Sequence, residues 1–279
     1  MRPVVVKCGG NGAVDPVAVC ADVAELAGGG RPVVLAHGGS AEIDGLGDRL
    51  GVPRRRLVAP DGVTTRLTDG AALEVVQLAL AGLVKPRLVG ALVAAGVPAV
   101  GLTGVDGGLL RARRKTAHRA VVDGRRVVVR DDHSGRVVEV NGRLLWTLLR
   151  AGLLPVVSPP ALAEDGRPVN ADADRAAAAV AGALGAETLV MLTGAPGVLA
   201  DPDDEGSVLA TCEVPAAGAP PHRGGGIGIK LIAAREALLA GVPRVLIGDG
   251  RRPDRPVLAA LSGRATRITL AGTSLRGTA

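Results

Sequence analysis

Two lysines in this chain stand beside glycine-rich runs, an arrangement suited to holding a polyanion. Lys7 is followed by Cys8-Gly9-Gly10, and Lys230 is preceded by Gly224-Gly225-Gly226-Ile227-Gly228-Ile229. Glycine lets backbone N–H groups approach an anion, and lysine supplies the charge. A third run, His37-Gly38-Gly39-Ser40-Ala41-Glu42, leads into a helix N-terminus, where open amides favour negative groups. Arg66, in Val63-Thr64-Thr65-Arg66-Leu67-Thr68-Asp69, can pair bidentately with a carboxylate. Asn170-Ala171-Asp172-Ala173-Asp174 opens an alanine-rich helix, and the plainer role of such residues is N-capping. A lysine at a helix start opposes the macrodipole, so Lys230 stands where an anion would be welcome. Positive charge and N–H donors around a moving phosphoryl group, with Mg²⁺, are what phosphoryl transfer requires. Taken singly, each of these features also has an ordinary reading as a βα turn, a cap or a solvated side chain. The chain has no GxxxxGK[ST] loop and no protein-kinase HRD or DFG set.

The elements that must position these residues alternate. Val4–Val6 reads as a buried strand, residues 17–27 as a helix, Val33–Ala36 as a strand and Ala41–Leu50 as a helix. Strand, glycine loop and helix repeated in this way predict a parallel sheet, with ligands at the carboxyl ends of its strands. Further on, 68–81 and 85–95 read as two helices, 98–102 as a strand, 141–151 as a helix and 154–158 as a strand. The pattern then predicts helices over 172–184 and 229–240, and strands over 188–192, 244–247 and 267–270. Asp123-Gly124 between valine-rich runs predicts a β-hairpin. The tail from Ala271 is expected to fray.

Composition narrows the class. The 279 residues are 47% hydrophobic, enough for a buried core in one large domain or two lobes. Trp146 is the sole aromatic among Phe, Trp and Tyr, so the core must be aliphatic, and base stacking on aromatic platforms is excluded. No signal-peptide pattern and no uncharged apolar run of membrane-spanning length is visible. Cys8, Cys20 and Cys212 form no CxxC pair and fit a reducing, cytoplasmic compartment. The net charge of +6 is local: residues 111–130 alone carry +7, with Asp123 as the one acidic residue among them. Such a concentration calls for an acidic partner, or else is a solvated basic hairpin.

In this order and spacing the five features resemble the amino acid kinase family, the group that contains acetylglutamate kinase, from Lys7 to about Leu270. The resemblance implies an α/β fold with an open, mainly parallel sheet sandwiched between helices. It implies Lys7 and Lys230 gripping the γ-phosphoryl group of ATP, with Asp174, rather than Asp172, holding the two lysines. Gly9, Gly10, Gly38 and Gly39 would donate amides to phosphate and substrate, and Arg66 and Asn170 would bind the acyl acceptor. Thr193, Gly194 and Gly197 would lie on the nucleotide side. Residues 1–170 would form an acceptor-binding and dimerising lobe, and residues 171–279 an ATP-binding lobe, in a homodimer. ATP and Mg²⁺ are the expected cofactors, with no metal-ligating set of the protein's own. Gly194 departs from the pattern, since related kinases carry Asp or Asn there.

Within the family, three stretches look closer to the [LysW]-aminoadipate or glutamate kinases. They are His37–Glu42, Arg66–Asp69, and above all Arg113-Arg114-Lys115-Thr116-Ala117 through Gly135-Arg136-Val137-Val138-Glu139-Val140-Asn141. Those kinases phosphorylate an amino-acid side chain tethered to a small acidic carrier protein. Arg111, Arg113, Arg114, Lys115, Arg125 and Arg126, on a basic hairpin at about 111–140, would then dock the carrier. The basic run that the family carries before its second lysine is replaced here by Ile227-Gly228-Ile229. Two other readings stay open: an acetylglutamate kinase using free substrate, and a non-catalytic basic binding module. Neither nucleic acid nor membrane is expected as a partner.

Overall fold

The computed structural model describes residues 1–10, 12–58, 64–114, 117–122, 125–222 and 226–272, with the side chains of 58, 64 and 118–127 outside that description. The chain opens with β1 (Val4–Cys8), α1 (Pro16–Gly28), β2 (Val33–His37) and α2 (Ser40–Arg49). β1 and β2 are buried along their whole length, as expected for valine-rich strands covered on both faces. Asp15 starts α1 by accepting from the Val17 and Ala18 amides, with Pro16 in the first turn. Next come β3 (Arg56–Val58), β4 (Thr64–Arg66), α3 (Gly70–Gln77) and α4 (Lys85–Ala94). They are followed by β5 (Ala99–Thr103), β6 (Leu110–Arg114), β7 (His118–Val122), β8 (Arg125–Val129) and β9 (Gly135–Val140). The second half holds α5 (Gly142–Arg150), β10 (Leu154–Ser158), β11 (Ala161–Ala163), β12 (Pro168–Val169), α6 (Ala173–Ala183) and β13 (Thr188–Thr193). It ends with β14 (Thr211–Val214), α7 (Ile227–Leu239), β15 (Arg244–Asp249), α8 (Pro256–Leu261) and β16 (Ala265–Leu270).

Eight strands form the central sheet in the order β14-β16-β15-β13-β1-β2-β10-β5. It is parallel from β15 to β5, and β16 turns antiparallel to β15 at one side. α5, α6 and α7 cover one face, through residues such as Leu145, Val180 and Leu231. α1, α4 and α8 cover the other, through Val19, Val23, Leu88 and Val257. This is the open, mainly parallel sheet between helices that the alternating pattern predicts. With no Phe or Tyr available, the core is packed mainly from Val, Leu, Ala and Ile, with Met191 and the three cysteines, each Val, Leu or Ile contributing about 1.5–3 kcal/mol on burial.

Two features differ from the expectations. Residues 70–94 are one continuous helix, in which α3 and α4 are joined by a π-helical segment, Leu78–Val84, rather than two helices broken after Ala81. Pro86 has no N–H, and its ring crowds the carbonyl four residues earlier; a wider turn just before it absorbs that conflict without ending the helix. At 25 residues and a mean hydropathy of 1.5, this helix has the length and composition of a membrane span, which the expectation of two shorter helices hid. Part of its apolar surface is occupied by protein, since Val75, Val76 and Leu80 pack on Ile43 and Leu88 and Leu92 enter the core under the main sheet, while Leu78 and Val93 stay exposed.

The second difference concerns 111–140. β7 and β8 form the hairpin expected there, with Val122 paired to Arg125 across residues 123–124, which themselves lie outside the described residues. β6 and β9 belong to another sheet, β12-β11-β6-β9, whereas the hairpin extends β4-β3-β7-β8. The basic stretch is therefore divided between two small sheets instead of forming one hairpin.

Candidate active site

A cleft of about 920 Å³ opens at the carboxyl ends of β1, β2 and β13. All of the sequence-predicted catalytic, substrate and phosphate residues line it: Lys7, Gly9, Gly10, Gly38, Gly39, Arg66, Asn170, Asp174, Thr193, Gly194, Gly197 and Lys230. They are separated by up to 223 positions in the chain: Lys7, the two glycine loops and Thr193 lie at the carboxyl ends of β1, β2 and β13, Arg66 ends β4 and Asn170 follows β12 in the small sheets, and Asp174 and Lys230 come from the first turns of α6 and α7.

Its charged centre is a triad. Lys7 Nζ lies 2.8 Å from Asp174 Oδ1, and Lys230 Nζ lies 2.9 Å from both Asp174 oxygens. All three side chains are at most 10% exposed. β1 delivers Lys7, the first turn of α6 delivers Asp174, and the first turn of α7 delivers Lys230. Asp172 is the residue that caps α6, accepting from the Arg175 amide at 2.9 Å, and this leaves Asp174 free to face the lysines. Burial alone would raise the Asp174 carboxyl; the Lys230 and Lys7 ammonium groups outweigh it and hold it down at about 2. Burial lowers both lysines and Asp174 opposes that, leaving Lys7 above its ordinary value and Lys230 below it. Asp172 is pushed up by its enclosed surroundings and by the charge of Asp174. Two ammonium groups against one firmly ionised carboxylate leave a net cation facing the cleft, which is a seat for an anion.

Two glycine loops build the rest of that seat. A Cβ on Gly10 would lie 2.5 Å from the Gly39 nitrogen, so the loops touch backbone to backbone and no side chain fits between them. The Ala41 amide and the Ser40 hydroxyl both donate to the Gly10 carbonyl, locking one loop to the other. No side chain caps α2 at Gly39, so its N-terminus is left for a ligand at the cleft wall.

On the acceptor side, Arg66 Nη2 contacts Asp44 Oδ1 at 2.5 Å, and Asn170 donates from Nδ2 to the buried Thr68 hydroxyl at 3.1 Å. Both residues are held in place beside the cleft. On the other side, Thr193 ends β13, and a Cβ on Gly197 would collide with Thr266 Oγ1 at 2.6 Å. The Gly194 backbone lines the cleft without contributing a side chain.

The residues expected to dock a partner are not gathered here. Arg111, Arg113 and Arg114 lie on β6, away from the cleft lining. Arg113 and Arg114 face Glu164 and Asp165 at 3.6 and 3.9 Å, so part of the local charge excess is answered by residues fifty positions away. Lys115 lies outside the described residues. Arg125 and Arg126 are placed on β8 by their backbone alone. Sequence reasoning passed over Arg54, Arg55, Arg56 and Arg136, which line the cleft. The Arg-Arg-Arg run at 54–56 was a visible signal for three of them.

A model of the amino acid kinase family matches residues 2–249. The chain is 40% identical over 269 residues to a protein of Deinococcus radiodurans named [LysW]-aminoadipate kinase, covering 95% of this chain and 91% of that one. It is 41% identical over 217 residues to an acetylglutamate kinase of Methanopyrus kandleri, covering 77% and 84% of the two chains. The crystal structure of smu.665 from Streptococcus mutans UA159 shares the fold, with a TM-score of 0.70 at 23% identity over 95% of this chain and 98% of the other. The chain belongs to the amino acid kinase family and is an ATP-dependent phosphotransferase with a carboxyl group as acceptor.

Proposed function

We propose that this kinase phosphorylates the side-chain carboxylate of an amino acid carried on a small acidic, LysW-type carrier protein, giving an acyl phosphate. The observation that carries this reading is the arginine-lined cleft. Arg54, Arg55, Arg56 and Arg136 stand around the same opening that leads to Arg66 and the lysine pair. A free small acid needs one or two cationic contacts, whereas an acidic protein presenting a tethered substrate benefits from a basic surround. Arg54 and Arg55 are about half exposed at their side chains, so they remain available to a partner beside their own neighbours Asp48 and Asp69. Arg111, Arg113 and Arg114 on β6, together with Lys115, Arg125 and Arg126, are the further candidates for carrier docking.

In this reading Lys7 and Lys230 flank the γ-phosphoryl group and Asp174 orients both. The substrate carboxylate, already ionised, attacks the γ-phosphorus in line. The new O–P bond forms as the bond to the β-phosphate oxygen breaks, and the electron pair leaves with ADP. No proton has to move, so no general base is required. The lysines neutralise charge that develops on the transferring oxygens, and the Gly10, Gly38 and Gly39 amides complete the cradle. The close loop approach and the net positive charge fit a polyphosphate. Mg²⁺ would enter with the nucleotide phosphates. When bound there it supplies further neutralisation of phosphate charge. Thr193, Gly194 and Gly197 would border the nucleotide, with residues 171–279 forming the ATP side and residues 1–170 the acceptor side. We place the enzyme in the cytoplasm as a homodimer joined through the N-terminal half.

The test is hydroxamate trapping of the acyl phosphate, comparing a carrier protein bearing aminoadipate or glutamate with free N-acetylglutamate. Product with the carrier alone supports the reading. Product with free N-acetylglutamate would make this an acetylglutamate kinase, a second reading favoured by the similarity to the Methanopyrus kandleri protein.

A further inference from the structure

Two ionic contacts join α6 to α7, and only the first takes part in the mechanism above. That one is the Asp174–Lys230 pair. The second lies one residue further along α6. There Arg175 donates from Nε and Nη2 to the Glu236 carboxylate at 3.0 and 2.6 Å, a bidentate pair. Arg136 of β9 adds a single contact to the same carboxylate, from Nη2 at 3.2 Å. Arg175 and Glu236 are 29% and 24% exposed at their side chains, whereas Arg136 is 64% exposed and is the weaker arm.

The two helices run side by side in the same direction. Their first turns meet at Asp174 and Lys230, and near their ends a Cβ on Gly182 would lie 2.6 Å from Ala240 Cβ. Ala177, Ala178 and Ala181 of α6 and Ala233, Ala234 and Ala237 of α7 are buried in one cluster. Side chains this short interlock shallowly, so they set the spacing of the helices more firmly than their axial register. No side chain caps α7 at Gly226, so no cap fixes the height of its first turn. The Asp174–Lys230 contact alone would act as a pivot. Glu236 follows Lys230 by nearly two turns of α7, about 9 Å along the axis, so the Arg175 pair is a brace at a second height.

We infer that Glu236 is a positioning residue for Lys230: through Arg175 it fixes the register of α7 against α6, and so holds Lys230 Nζ against both oxygens of Asp174. The inference rests on the reading that Lys230 flanks the transferring phosphoryl group. Arg136, Asp172, Arg175 and Glu236 also border a side cavity of about 390 Å³, so a neutral side chain at position 236 meets open space rather than a clash. Loss of the brace therefore disturbs the register before it disturbs folding.

The experiment is steady-state kinetics by hydroxamate trapping, on the acceptor that the wild type uses, for Glu236→Gln alone and combined with Lys230→Ala. Thermal melts establish that each variant folds. We expect Glu236→Gln to lower kcat by about 10–100-fold, the cost of a misplacement near 1 Å, with the acceptor KM within about twofold of wild type. In the Lys230→Ala background the same change should lower kcat by less than about twofold, because the brace has no lysine left to aim. A wild-type kcat in folded Glu236→Gln overturns the inference. An equal loss with and without Lys230 overturns it too, by marking a general structural role. So does a loss carried by the acceptor KM, which assigns Glu236 to Arg136 and the acceptor side instead. If Glu236→Gln does not fold, Arg175→Lys replaces it. Lysine keeps the charge but gives up the bidentate pair, and a wild-type kcat there overturns the inference equally. A near-normal Lys230→Ala would bring down the reading of Lys230 itself. A slow Lys230→Ala beside a normal Glu236→Gln brings down this inference alone.

Discussion

At the scale of single residues, the chemistry is concentrated in one carboxylate shared by two lysines. In the proposed mechanism neither lysine substitutes for the other, because each approaches Asp174, and hence the phosphoryl group, from a different element. We expect Lys7→Ala and Lys230→Ala each to lower kcat by about 10²–10³, the size of a lost preorganised electrostatic contact, with near-normal rates in either variant counting against the assignment. Asp174 itself has a measurable acid-side signature. Its carboxyl is held at about 2, below the usual 3.8, so the stability it contributes is complete above 3.8 and disappears as pH falls toward 2. The difference is worth about 2 kcal/mol. Thermal melts between pH 5 and pH 2 should show this loss in the wild type. Asp174→Asn should lack it, while being destabilised at neutral pH by about 3–5 kcal/mol through the uncompensated lysines. Parallel acid profiles in the two proteins would refute the linkage.

At the scale of elements, the loops after β1 and β2 act as one object because they touch through backbone. An alanine at position 10 would press on the Gly39 nitrogen at 2.5 Å, where nothing can rotate away. An alanine at position 39 would meet the ends of Leu80 and Val84, which can shift rotamer. We therefore expect Gly10→Ala to raise the KM for ATP and lower kcat more than Gly39→Ala does, in side-by-side steady-state kinetics. The reverse order would mean that the cradle is built differently. Most of these elements are legible in the sequence. Valine runs, the Asp15-Pro16 start of α1 and the Asp172 cap of α6 are local signals, and local signals survive folding. The joining of 70–77 to 85–94 was not legible. Gly82, directly after Ala81, reads as a helix stop and Pro86 as a break until the π segment that accommodates them is seen.

At the scale of the whole molecule, charge is arranged differently from its order along the chain. The +7 stretch is split between two small sheets and partly answered by Glu164 and Asp165, whereas Arg54, Arg55 and Arg56 meet Arg136 around the cleft. If an acidic carrier docks at this opening, Arg55→Glu with Arg56→Glu should cut kcat/KM for the carrier-bound substrate by at least about tenfold. The same change should flatten its dependence on ionic strength and spare any activity on free substrate. Arg113→Glu with Arg114→Glu should do the same to a smaller degree. Equal losses on carrier-bound and free substrates would assign these arginines to folding or to ATP use instead.

Fold class, family and the residues that line the cleft, from Lys7 and the glycines to Asp174 and Lys230, were legible in the chain. Each of these sits in a short local pattern at a strand end or helix start, where backbone geometry dictates residue type. Folding adds the interlock of the two glycine loops and the 2.8 and 2.9 Å reach of the two lysines to Asp174, a role that the family resemblance implied without its geometry. It also decided which arginines surround the opening. Those facts depend on which strands lie side by side and how deeply a charge is taken out of water, and neither adjacency across the sheet nor burial is encoded in any single stretch of chain.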